Sequence, residues 1–322
     1  MRIAIVLLLI SSLASCGGNG SGSITPDPQD TPESQTVDPL TSAVDITNVI
    51  FTSRSVDCAD YDDEYMSAVV DINRSTGFEG ALAITAGADH CLLTSNVIPN
   101  HDFNDRQDFP NLTSEQLLSL TIPRVPVLAT ADTALTQGYW DGVLLNGVVI
   151  DVLSAGCWNG SQNTPAGCAD THPWLINPLT SGGIFEHDSH NAHTQPTGAY
   201  HYHGEPLAMY DDNPGPDGSP VIGFAADGFP IYGPYFYDLD TGQVRRARSG
   251  YTLRTVARDS VAGPGGFPDG TYNADWVWTD AGDLDECNGM TVDGQYGYYV
   301  TESFPHTMRC FKGVVDPSFA KR

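Results

Sequence analysis

A mainly β fold, one large domain of short strands joined by long irregular loops and held by disulfides, follows from three features of the 322-residue sequence. Short apolar or alternating runs recur along the chain, among them SAVVDI, GALAITA, GVLLNGVVIDVL, VIGFAA and YGYYVTE, and turn pairs such as NG, DG and GP separate them. Glycine numbers 33 and proline 22, a composition that disfavours helices and favours bends. Setting Cys16 aside, six cysteines, Cys58, Cys91, Cys157, Cys168, Cys287 and Cys310, contain no CxxC pair, which points to three disulfides and away from a zinc ribbon.

Taken in order, residues 1–15 carry one basic residue, Arg2, and an apolar run from Ile3 to Ile10. That run is far short of the roughly 20 residues a spanning helix needs, so it reads as a signal peptide. It ends in LASC, which resembles a bacterial lipobox. The resemblance implies cleavage before Cys16, lipid attachment to its sulfur, and an exported protein anchored to the cell envelope. Gly17 in place of Asp points, by analogy, to the outer membrane. Residues 16–41 then form an acidic tether rich in Gly, Ser and Pro, too poor in apolar side chains to offset its ordering entropy. Its GGNGSG lacks the strand and helix of a phosphate loop. The folded domain is expected over 42–322, with one brief helical pattern, TSEQLLSL, at 113–120.

Composition excludes one class of partner. With a net charge of −26 and only two lysines, Lys312 and Lys321, a nucleic-acid surface is ruled out, and membrane attachment falls to the lipid anchor. Fifteen cysteine pairings are available in principle. The sequential one, Cys58 with Cys91, Cys157 with Cys168 and Cys287 with Cys310, encloses one local unit each time and is favoured.

The chemistry concentrates at Tyr200, His201, Tyr202 and His203, where strict alternation between Gly198 and Gly204 predicts a short strand. Both imidazoles then share one face, with Tyr200 and Tyr202 on the other. His193 precedes them across Pro196 and Gly198, which can turn the chain back, and His190 and His187 come earlier at three-residue steps. Imidazole is the commonest ligand for zinc and copper, so the expected metal site is His193, His201 and His203, with His190 and His101 in reserve. A purely structural cluster is the plainer alternative.

Several strings resemble the bacterial YHYH-domain family: SNVIPNH at 95–101, NAHTQPTGAYHYHG at 191–204, AADGFPIYGP at 225–234, GDLDECNG at 282–289 and FPHTMRCFKG at 304–313. The family is named for a motif and implies no reaction. The resemblance does imply a second aromatic strand related to the first. Here it reads QYGYY at 295–299, with Gly297 where a histidine is expected, and His306 is the nearest substitute.

Two carboxylates in these motifs, Asp227 and Glu286, are low-ranked catalytic candidates or partners for a ligating imidazole, with a turn role the plainer reading for Asp227. The loops DDNPGPDGS at 211–219 and DLDTG at 238–242 have calcium-like oxygen spacing without an EF-hand pattern, and surface turns explain them better. No GxSxG elbow, HExxH pair or nucleotide loop is present. The expected function is therefore copper or zinc binding by an exported lipoprotein. A metal-dependent hydrolase is one alternative, and a surface module for glycans or peptides, using exposed aromatics at 232–237 and 296–299, is another.

Overall fold

A computed structural model describes residues 43–180 and 184–321; the leader, Cys16 and the whole tether lie outside the described residues. Those residues form a single mainly β domain with no α-helix, only short 3-10 turns such as Cys58–Tyr61 and Pro317–Phe319. Val44–Asp45, Asp63–Asp71, Thr76–Ala86, His90–Ser95 and Leu118–Pro123 make one sheet in that order. Its strands alternate strictly where one face is covered: in His90–Ser95 every second residue is buried, as the two-residue period of a half-solvated strand requires. The helical pattern at 113–120 is overturned. Leu118 onwards pairs with His90–Ser95, because one brief amphipathic turn cannot compete with a ready sheet edge.

The second sheet carries the site. Its eight strands run in the order Ala192–Thr194, Tyr200–Tyr202, Val149–Ile150, Gly142–Leu144, Val221–Ala225, Pro230–Tyr232, Gln295–Tyr299 and Gly289–Val292. Neighbours are antiparallel except at two places. Tyr200–Tyr202 pairs parallel with Val149–Ile150, and Gln295–Tyr299 pairs parallel with Pro230–Tyr232. Each half of the sheet is thus a central hairpin with an outer hairpin laid parallel against it, so the two aromatic hairpins are topological counterparts at opposite edges. In this register Tyr298 lies opposite Ile231 as His201 lies opposite Val149.

The central strands are buried on both faces, which explains their unbroken apolar runs. The aromatic runs at 232–237 and 296–299, expected at the surface, are mostly interior. Tyr232 stacks on Tyr299 at 4.9 Å, Tyr296 and Tyr298 are buried, and of the set only Tyr237 is exposed. Gly297 lies under this layer: a Cβ there would meet the Tyr232 ring, so packing and not metal binding governs the position. The three disulfides are the sequential ones, with Cα–Cα separations of 6.1, 6.0 and 4.7 Å.

One turn sets the first outer hairpin. Gly198 donates its N–H to Gln195 O (2.9 Å), Gln195 donates to Ala199 O (3.1 Å), and Gly198 sits at φ +91° with no room for a Cβ beside Ser114. A side chain is strained there and clashes. Gly198→Val is expected to destabilise the domain by at least about 1–3 kcal/mol in urea denaturation; unchanged stability would show that this turn does not hold the hairpin.

Candidate metal centre

Antiparallel pairing sets His193 directly opposite His201, and strand alternation returns the chain to the same face at His203. The three imidazoles therefore converge: His201 Nε2 lies 3.1 Å from His203 Nε2, which lies 3.1 Å from His193 Nε2. Two nitrogens bound to one zinc at ~2.05 Å and the tetrahedral angle are separated by roughly 3.3 Å. The cluster is close to that spacing already.

Backbone carbonyls fix which nitrogens carry protons. His193 Nδ1 donates to Glu186 O (2.8 Å) and His201 Nδ1 to Ala199 O (3.3 Å), which leaves both Nε2 lone pairs aimed into the cluster. If His203 donates from Nε2 to them, its own Nδ1 becomes a buried acceptor, and that atom has no hydrogen-bond partner. A cation among the three Nε2 atoms would accept all three lone pairs, with the His203 proton then on Nδ1. Burial lowers the pKa of all three rings, and the nearby imidazoles push His201 and His203 lower still. They are neutral at pH 7, the form that ligates.

Next to His203 across the parallel strand stands Asp151, whose N–H donates to Tyr202 O (2.9 Å). Sequence reasoning missed it; the available signal was a lone carboxylate closing the apolar run GVVID. Asp151 Oδ2 accepts from Lys321 Nζ at 2.6 Å, while Oδ1 is buried without a partner. Lys321 also lies 4.5 Å from the centroid of the Trp140 ring. One strand further on, Asp141 is buried too, and Val152 N–H donates to its Oδ2 (2.7 Å). Burial, and secondarily the charge of Asp151, raise the Asp141 pKa. His193, His201, His203, Asp151, Lys321 and Glu186 line one cleft of about 550 Å³, walled by apolar groups such as Leu153 and Phe185.

The other face of the strand carries a hydrogen-bond network. Tyr200 OH donates to Asp188 Oδ2 (2.7 Å). Because His101 Nδ1 donates to Asp102 O (2.7 Å), its Nε2 accepts from Tyr202 OH (2.6 Å), and Asn146 Nδ2 donates to the same hydroxyl (3.1 Å). The reserve histidines belong here: His190 packs on His101 with ring centroids 4.0 Å apart, and neither joins the ligand cluster. His306 packs against Gly204, also outside that cluster.

Neither candidate carboxylate reaches the histidines. Asp227 accepts from Tyr298 OH (2.6 Å) and the N–H groups of Gly313 (2.8 Å) and Phe229 (3.3 Å), a turn and sheet-closing role. Glu286 lines a different cavity, and its carbonyl accepts from Tyr251 OH (2.7 Å). In the acidic loops, Asp212 pairs with Arg246 and Asp238 with Arg245, both at 2.6 Å, so guanidinium groups hold the carboxylates a calcium ion would need.

Tyr202→Phe leaves His101 Nε2 and Asn146 Nδ2 without their shared partner, and is expected to cost about 1–3 kcal/mol in denaturant melts. Loss below a few tenths of a kcal/mol would contradict the network. Burial also holds His101 at about 3 and His306 at about 4, against about 6.5 in an unfolded chain. Between those values the unfolded chain binds the extra protons. Stability from these groups therefore falls as pH drops from about 6.5 towards 4, by up to about 1.4 kcal/mol per pH unit for each histidine. His101→Gln should make that slope shallower in chelator-treated protein; an unchanged slope would contradict a neutral buried His101.

No curated protein and no solved structure matches the chain. The family model described as "YHYH protein" matches residues 119–313, a span that contains the whole histidine cluster, Asp151 and both outer hairpins. With that match covering more than half of the sequence, the chain belongs to the YHYH family.

Proposed function

We propose that the protein binds one transition-metal ion, zinc or copper, through His193, His201 and His203, and does so outside the cytoplasm as a lipoprotein anchored at Cys16. The observation that carries this reading is the meeting of three Nε2 atoms, two of them stripped of their proton by Nδ1 bonds to backbone carbonyls. Three imidazoles beside an open cleft suit zinc or copper, which take nitrogen ligands and tolerate an exchangeable fourth position. The acylated Cys16 follows from the lipobox resemblance alone. Mass spectrometry of the amino-terminal peptide from the native membrane fraction tests it, and an unmodified Cys16 would refute it.

The test of the metal site is elemental analysis of the soluble domain, purified without chelator or His-tag, beside His201→Ala/His203→Ala. About one zinc or copper per chain is expected in the parent and near none in the variant. Folded parent protein that takes up neither added metal would reject the site.

A hydrolase is the second reading, favoured by Asp151, whose unpartnered Oδ1 is buried in a residue lining the same cleft. Bound zinc would supply Lewis acidity and an acidified water. Asp151 would orient that water by accepting its hydrogen, with Lys321 holding the other carboxylate oxygen. Asp151→Asn should keep the metal while lowering chelator-sensitive ester or phosphoester hydrolysis at least about 100-fold. Absence of any such turnover in the parent would leave binding as the function.

A further inference from the structure

Beyond Leu153, which lines the histidine cleft on one side, lie two adjoining cavities of about 530 and 560 Å³. Both are lined by Arg254, Arg309, Asn273 and Trp276. In a chain with 40 acidic and 14 basic residues, two guanidinium groups without a carboxylate in one place stand out. Among the described residues six arginines and both lysines have a carboxylate within 4.0 Å, whereas Arg54, Arg106, Arg254 and Arg309 have none, and of these four Arg254 and Arg309 line both of these cavities.

Both are nevertheless held in place. Arg254 Nε donates to Ala274 O (2.9 Å), which leaves its two terminal nitrogens without a side-chain hydrogen bond. Arg309 is fixed through its backbone, whose N–H donates to Cys287 O (3.2 Å), and through the adjoining Cys287–Cys310 disulfide. The third wall is rigid as well: Trp276 stacks on Phe304 with centroids 5.3 Å apart and planes within 4°. Two forked cations beside a locked indole match a ring compound bearing a carboxylate or sulfate. The guanidinium takes the anion with paired hydrogen bonds, and the indole covers the ring's apolar face.

The acids in these cavities narrow the class. Asp170 lines the first, and Asp132 and Glu286 the second. A densely charged polyanion is repelled by them, whereas hydroxyl groups are welcome, since a carboxylate accepts their hydrogens. We propose that this cleft binds a sugar carrying a single anionic group, a uronic acid or a sulfated sugar. The proposal is independent of the metal reading.

Calorimetric titration of chelator-treated domain with glucuronate, galactose 6-sulfate and galactose tests it. One of the two anionic sugars is expected to bind at least about tenfold more tightly than galactose, a difference of about 1.4 kcal/mol, and more weakly as salt rises. The stronger of the two identifies the anion. Arg309→Gln and the exposed Arg254→Gln should each weaken it at least about tenfold while circular dichroism stays unchanged. Equal binding of galactose, no binding of either anionic sugar at millimolar concentration, or unweakened binding in folded Arg254→Gln would overturn the proposal. Binding abolished by metal removal would transfer the ligand to the histidine cleft and equally overturn it.

Discussion

Everything at the centre depends on the register between Ala192–Thr194 and Tyr200–Tyr202. With His193 opposite His201, three imidazoles are forced onto one face, and slipping the pairing by a single residue would send His193 to the tyrosine face. The register is protected from both ends. The Gly198 turn closes the hairpin, and at its open end His203 N–H donates to Asn191 O (3.0 Å) while Asn191 Nδ2 donates to Glu205 O (2.8 Å). On the far face Tyr200 and Tyr202 are fully buried and hydrogen-bonded, so rotating the strand would leave their hydroxyls unsatisfied. The tyrosines thus hold the strand and the histidines use it.

The parallel pairing with Val149–Ile150 extends the same face inward. It brings Asp151 beside His203 and then Asp141 beside Asp151, a row of polar groups crossing the interior of an otherwise apolar sheet. A buried carboxylate with an empty oxygen is costly, and the attraction of Lys321 offsets only part of that cost. Such a group in a closed core would be a liability, and Asp151 instead belongs to the wall of the histidine cleft. The counterpart hairpin at the opposite edge shows the contrast. Tyr298, at the register position of His201, donates to Asp227 and receives the N–H of Lys312 (2.8 Å), so its polar groups are spent within the fold. Two outer hairpins of one design carry different burdens.

Much of this was legible from residue order alone. Alternation at 200–203 defined the two faces, Pro196 and Gly198 marked the return that recruits His193, and the even number of cysteines beyond Cys16 pointed to three disulfides. His101 and His190 were harder. His190 is near the motif in sequence and His101 is a hundred residues away, and the face they join is decided by long-range packing of the 98–104 segment, which local pattern does not encode. The place of Asp151 beside His203 was hidden for the same reason, since parallel pairing across some fifty residues leaves no periodic trace, although its lone carboxylate after GVVI was visible. The short pattern at 113–120 and the aromatic runs at 232–237 and 296–299 misled because sheet edges and core volume, which propensity does not measure, decide those positions.

The central claim is that three imidazole nitrogens share one ion. X-ray absorption at the zinc or copper edge of the loaded domain addresses it most directly. A first shell of nitrogen or oxygen at about 2.0 Å is expected, with outer-shell scattering that requires about three imidazoles. A shell containing sulfur, or one fitted by fewer than two imidazoles, would contradict it.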